Sequence, residues 1–134
     1  MTIKEVPIEK ILTIRKEVMW PDKDINFVKV EGDDKAIHLG VYENNKVVSI
    51  VSLYITKNSL QFRKFATLKS QQKKGYGTLL LKEVFKLAAN KNINYIWCNA
   101  RKNKISFYER FGLISTGKEF LKSGKSYVIM ERSF

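Results

Sequence analysis

Three groups of residues in this chain have types and spacings that could do chemistry. The first is Gln72-x-x-Gly75-x-Gly77, with Lys73 and Lys74 inside it, Tyr76 between its glycines and Thr78 directly after it. Glycines let a backbone approach a ligand closely, and the first N–H groups of a helix have no partner within the helix. A loop of this kind opening a helix suits a phosphate, and two lysines add charge at the same place. Read alone, two glycines are more often simply the start of a tight turn. The second is Tyr108, a hydroxyl acid with an ordinary pKa of about 10. Read alone, it is the core tyrosine of a short amphipathic helix. The third is Arg15 with Arg63, two guanidinium forks that together could hold a carboxylate or phosphate, or else make surface ion pairs.

Other titratable residues carry less. Cys98 lies beside Trp97 in an apolar stretch and reads as a small buried hydrophobe, with no base at hand to make it a nucleophile. His38 is a base by chemistry, but a lone histidine in a strand is usually structural. Glu17 and Asp22 could serve as base or orient a cationic substrate; both are read first as facing water. With one cysteine and one histidine in the whole sequence, an internal disulfide and a zinc cluster are excluded.

The elements that must position these residues follow from periodicity and punctuation. Thr2 to Val6 reads as a short strand, and Pro7 opens a helix striped by Ile8, Ile11, Leu12, Ile14 and Val18. Asp22 to Asp34 is acidic and weakly patterned, a loop with room for a short helix. Ile37–Tyr42 and Val47–Thr56 are strands joined by a turn at Glu43-Asn44-Asn45-Lys46, because asparagine tolerates positive φ. The next strand, Leu60–Leu68, has a fault in its alternation. Phe62 and Phe65 are three apart, so either a bulge near Arg63–Lys64 brings both rings to one side or the strand is buried on both faces there. Leu80, Leu81, Val84, Leu87 and Ala88 line one face of a long helix after the glycine loop. Ile93–Asn99 is a strand, Ile105–Phe111 a short helix stopped by Gly112, and a hairpin turned by Ser123-Gly124 closes the chain. The order is β-α-β-β-β-α-β-α-β-β, an α/β domain with a mixed sheet. No repeat or linker divides it, and 134 residues make one domain, residues 1–134.

Strand, glycine loop, helix and strand are followed by Asn99-Ala100-Arg101 and then Ser106-Phe107-Tyr108-Glu109-Arg110-Phe111-Gly112-Leu113. This arrangement resembles the GNAT superfamily of N-acetyltransferases across nearly the whole chain. The loop matches that family's Gln/Arg-x-x-Gly-x-Gly/Ala motif, and Phe-Tyr-x-x-x-Gly matches its second signature. Arg15-x-x-Val18-x-Trp20-Pro21, with Phe62-Arg63-Lys64-Phe65-Ala66, looks like a small bacterial branch of the superfamily. The resemblance implies a central mixed β-sheet splayed open at the strand carrying Phe65 and the strand Ile93–Asn99. It implies acetyl-CoA as cofactor and transfer of an acetyl group to a primary amine within a ternary complex. Phe65, Ala66 and Thr67 would pair their backbones with the pantetheine arm. Gln72, Lys73, Lys74, Gly75, Tyr76 and Gly77 would hold the pyrophosphate through backbone amides, with Thr78 capping the helix. Asn99 would hydrogen-bond the arm, and Tyr108 would protonate the leaving thiolate. A strand N–H near Phe65 or Ala66 would stabilise the oxyanion.

The sequence departs from the family pattern in three places. Lys104 stands four residues before the tyrosine, where a small apolar residue is usual, and Lys73 replaces a frequent glycine. The stretch Gln61-Phe62-Arg63-Lys64 holds no carboxylate, so it names no general base.

Composition sets the alternatives. A net charge of +12 attracts something anionic: nucleic acid, an anionic surface or a phosphate-bearing cofactor. It is equally the sign of a lysine-rich solvated surface, since the lysines are spread along the whole chain. A nucleic-acid-binding module is supported by charge alone, and a non-catalytic acyl-CoA-binding domain would keep the loop and dispense with Tyr108. The reading carried forward is an acetyltransferase acting on a small-molecule or protein amine, monomeric or homodimeric. It has no membrane segment or signal peptide and is cytoplasmic by default.

Overall fold

The computed structural model describes residues 1–134. Its strands are β1 (Thr2–Glu5), β2 (Ile37–Glu43), β3 (Lys46–Thr56), β4 (Ser59–Thr67), β5 (Tyr95–Arg101), β6 (Ile114–Lys122) and β7 (Lys125–Ser133). Its helices are α1 (Ile8–Met19), α2 (Tyr76–Asn90) and α3 (Ile105–Glu109), with single 3-10 turns at Ile25–Val28, Lys69–Gln71 and Lys102–Lys104. All the strands and helices read from periodicity are present and in the expected order.

The strands form one sheet in the order β1-β2-β3-β4-β5-β7-β6. Only β4 and β5 run parallel; every other neighbouring pair is antiparallel. Alternation along β3 gives the sheet two buried faces. Val51 and Leu53 join Leu80, Leu81, Val84 and Ala88 of α2 in the larger core. Ile50 joins Ile11 and Ile14 of α1, with Ala66 of β4, in a smaller one on the opposite face. Two helices packed on opposite faces therefore fix the middle of the sheet, and β4 and β5 lie at its centre.

The expected bulge opens the sheet there. Ile50 pairs with Ala66 and Ser52 with Arg63, so three steps along β4 answer two along β3. Lys64 takes the strain, at φ +55°. The extra residue returns Phe65 to the side of Phe62, their ring centroids 6.4 Å apart and edge-on. On its other edge β4 pairs with β5 only from Ser59 to Gln61. Beyond that point the parallel strands separate, and Lys64 and Phe65 have no ladder partner on either side.

Candidate active site

The gap between β4 and β5 is floored by aromatic rings. Phe65 stacks on Phe107 at 6.0 Å, and Tyr108 tilts against Phe62 at 5.7 Å and Phe65 at 6.4 Å. The bulge makes this cluster possible, because a regular strand would turn one of the two rings away. Tyr108 makes no hydrogen bond within the protein, yet the only sealed polar side-chain atom lacking a partner is Arg15 Nε. Its hydroxyl therefore remains reachable. Burial raises its pKa well above the ordinary tyrosine value, with Cys98 adding to the effect, so the proton stays on Oη throughout the physiological range.

The glycine loop meets the same opening. Gly75 sits at φ +86° immediately before α2, and Lys73 is also left-handed at +64°. The first amide of α2 that closes a bond at this end is that of Leu79, which donates to the Gly75 carbonyl at 3.1 Å. The N–H groups of Tyr76, Gly77 and Thr78 stand before it, free at the positive end of the helix. A Cβ on Gly77 would lie 3.2 Å from the Phe65 ring, so glycine is what lets the helix start close to β4. The loop is fastened on both sides. Gln72 donates from Nε2 to the Thr67 carbonyl at 3.0 Å, and Tyr76 donates its hydroxyl to Glu43 at 2.8 Å. Lys73 and Lys74 are exposed around it, Lys74 reaching Gln71 at 3.1 Å.

These residues fit a CoA thioester: a free strand edge, a close-approach glycine and unsatisfied helix N–H groups lie around one opening. Thr78 does not cap the helix as expected. Gly75 occupies the capping position and no side chain bonds the first turn, so Thr78 contributes its backbone from within α2. Asn99 lies on β5 past the last pairing with β4. Its neighbours Cys98 and Ala100 face the α2 core, which leaves Asn99 on the α1 face of the opening. Lys104 is exposed at the start of α3 and does not cover the gap.

Arg15 and Arg63 do not form a shared anion clamp. Arg15 is wholly buried, and its fork meets Asp33 at 2.9 and 3.0 Å. It also donates to the Val28 carbonyl and to Ser52 Oγ, both at 2.9 Å. Ser52 hydrogen-bonds His38 Nδ1 at 2.7 Å, while His38 Nε2 lies 2.8 Å from the Asp33 carbonyl. A carbonyl can only accept, so Nε2 carries the proton and Nδ1 accepts from Ser52. His38 is thereby a structural member of a closed network, not a base. Burial opposes the charge on Asp33, but bonds from Arg15, Tyr54 and the Val30 amide outweigh it and hold the carboxyl down at about 2. The sequence carried no sign that Asp33, in the weakly patterned loop, would claim Arg15.

Arg63 stays on the α1 face, its guanidinium 6.0 Å over the Tyr54 ring. Glu17 and Asp22 are exposed. Cys98 is buried, and burial pushes its thiol up to about 12, which leaves it protonated and inert. The residue missed from sequence is Lys64. Its only signal was the Phe62–Phe65 spacing, which placed a bulge at that position without showing where its side chain goes.

A parallel pair of strands splayed by a bulge, with a helix N-terminus at the mouth and a protonated tyrosine on the floor, defines the class of CoA-dependent acyltransferases. The chain matches the acetyltransferase (GNAT) domain family over residues 17–134 and belongs to it. It is an acyltransferase of the N-acetyltransferase kind, and its cofactor is acetyl-CoA. It is 26% identical over 129 residues to the uncharacterized N-acetyltransferase YitI of Bacillus subtilis, covering 90% of this chain and 87% of that protein. Its fold is similar to that of an acyl-CoA N-acyltransferase from Pseudomonas aeruginosa, with a TM-score of 0.81, 16% identity and coverage of 98% and 97% of the two chains. It is also similar to a Bacillus subtilis acetyltransferase solved in complex with CoA, with a TM-score of 0.75, 15% identity and coverage of 99% and 97%. No helix is long and apolar enough to cross a membrane.

Proposed function

We propose that the protein transfers an acetyl group to a primary amine by direct attack, both substrates being held at once in the gap between β4 and β5. The observation that carries this reading is the meeting of three things at one opening: the unpaired backbone of Lys64 and Phe65, the free N–H groups of Tyr76 to Thr78, and the protonated hydroxyl of Tyr108. In this reading the backbones of Phe65, Ala66 and Thr67 lie along the pantetheine arm, with Asn99 across from them. The amides from Gln72 to Thr78 take the pyrophosphate.

Bound there, acetyl-CoA supplies an activated acyl group and a thiol leaving group. The Phe65 N–H, at the bulge where the ladder is interrupted, would donate to negative charge developing on the acyl oxygen. Tyr108 Oη carries its proton throughout the physiological range and, beside the departing sulfur, serves as its proton donor. No carboxylate stands on β4, and His38 is occupied, so the proton of the attacking amine leaves through water.

Tyr108→Phe tests the assignment. Acetyl-CoA consumption is followed by thiol release against a panel of primary amines, and acetyl-CoA affinity is measured alongside. The variant is expected to lose about 10²- to 10⁴-fold in rate with affinity retained. Unchanged turnover would remove Tyr108 from the mechanism. Tight acetyl-CoA binding with no turnover in any form would favour a non-catalytic acyl-CoA-binding role.

A further inference from the structure

The α1 face of the opening carries an unbalanced positive charge with a specific source. Lys64 occupies the bulge at φ +55°, a left-handed conformation that favours glycine or asparagine over a residue with a long side chain. Its ammonium is half-buried and has no ion pair or hydrogen bond within the protein. Burial, then the like charges of Arg63, Arg15 and Lys122, push it down to about 8, and Asp33 is the one opposing charge among the groups that face it. Asp33 is already committed to Arg15 and Tyr54. Arg63, stacked over Tyr54, also lacks a carboxylate partner.

The β6–β7 hairpin brings further cations to this side. The charge of Lys122 is near enough to disfavour that of Lys64, and the Lys125 ammonium lies 5.2 Å over the ring of Trp20, just past the end of α1. Taking an ammonium out of water without a counter-charge is unfavourable, and the protein offers none. The missing partner is a negative group on whatever enters from this face.

We infer that the acceptor is an amine that also carries a carboxylate or phosphate, and that Lys64 with Arg63 binds this anion on the α1 face of β4. The inference rests on the reading that the gap takes acetyl-CoA, and it replaces the Arg15–Arg63 pair with Lys64–Arg63. A neutral or cationic amine would meet only like charge here, whereas an anionic one would be drawn in and oriented by two groups on consecutive residues.

Two matched pairs of probes test it: O-phosphoethanolamine against ethanolamine, and β-alanine against its amide. Each is titrated into the protein alone and into the protein saturated with CoA, with backbone amide shifts of residues 62–66 as the readout. Turnover with acetyl-CoA is measured in parallel. At least one anionic probe is expected to saturate and shift these amides, at least tenfold more tightly than its neutral partner. Comparison of the two pairs then separates phosphate from carboxylate. Lys64→Asn, which keeps a residue tolerant of positive φ, and Arg63→Gln are each expected to remove the preference, Arg63→Gln without changing acetyl-CoA affinity. Equal binding of the anionic and neutral members, no shift with either anion, or a preference that survives both substitutions would overturn the inference. Loss of acetyl-CoA binding in the unaltered protein would instead overturn the acyl-transfer reading, while the titrations without CoA still decide whether the anion site exists.

Discussion

Replacing Asp33 by asparagine isolates the role of Arg15. The substitution keeps the size of the side chain and removes its charge, stranding a guanidinium that has no exposure to water. It also weakens the acceptor for the Tyr54 hydroxyl, now 2.6 Å from Asp33 Oδ1, and for the Val30 amide at 2.8 Å. Breaking one side of a buried ion pair costs about 3–5 kcal/mol. With a urea dependence of about 2 kcal/mol per molar, the unfolding midpoint should fall by roughly 2 M. A domain stable by about 10 kcal/mol, the middle of the usual range, would still fold. Urea titration followed by Trp20 and Trp97 fluorescence measures the shift. The double variant Arg15→Met/Asp33→Asn removes the stranded charge and should recover part of the loss. A single variant within about 0.5 kcal/mol of the parent would refute the assignment of Arg15 to the core. So would a double variant less stable than Asp33→Asn alone.

Further outcomes follow from the same geometry. Asp33 titrates at about 2 in the folded chain against 3.8 for the free side chain, so its contribution is complete above pH 4 and is lost as pH falls from there towards 2. The loss amounts to about 2 kcal/mol, seen as a falling urea midpoint over that window that Asp33→Asn abolishes. Gly77→Ala gains about 1 kcal/mol of helix propensity but sets a methyl 3.2 Å from the Phe65 ring. The melting temperature should barely move while acetyl-CoA affinity, measured by calorimetry, drops several-fold. Cys98, with its thiol raised to about 12, should resist a thiol-labelling disulfide at pH 8 in the native protein and react promptly in denaturant.

Local chemistry explains what could be read in advance. Asn44 and Asn45 adopt φ of 52° and 65° because the turn demands it, and the pair advertised that turn. The apolar stripe of α2 and the Phe62–Phe65 spacing located the core and the bulge, since each reflects a period set by one element. The loop was legible for the same reason, except that Thr78 looked like a cap when Gly75 holds that position. What was not legible depends on segments far apart in the chain. Arg15 meets Asp33 across 18 positions and Ser52 across 37, and no local pattern records which carboxylate an arginine will claim. Lys64 was hidden likewise, because its isolation follows from Asp33 being taken by another residue.

The central claim is that the opening between β4 and β5, with the start of α2, holds acetyl-CoA. Calorimetric titration of the protein with acetyl-CoA at moderate salt tests it most directly. Saturable one-to-one binding in the micromolar range, little altered by further salt and weakened by Gly77→Ala, is the expected result. No binding, or binding without a fixed ratio that disappears as salt rises, would contradict the claim and leave the positive surface as a non-specific attractor of anions.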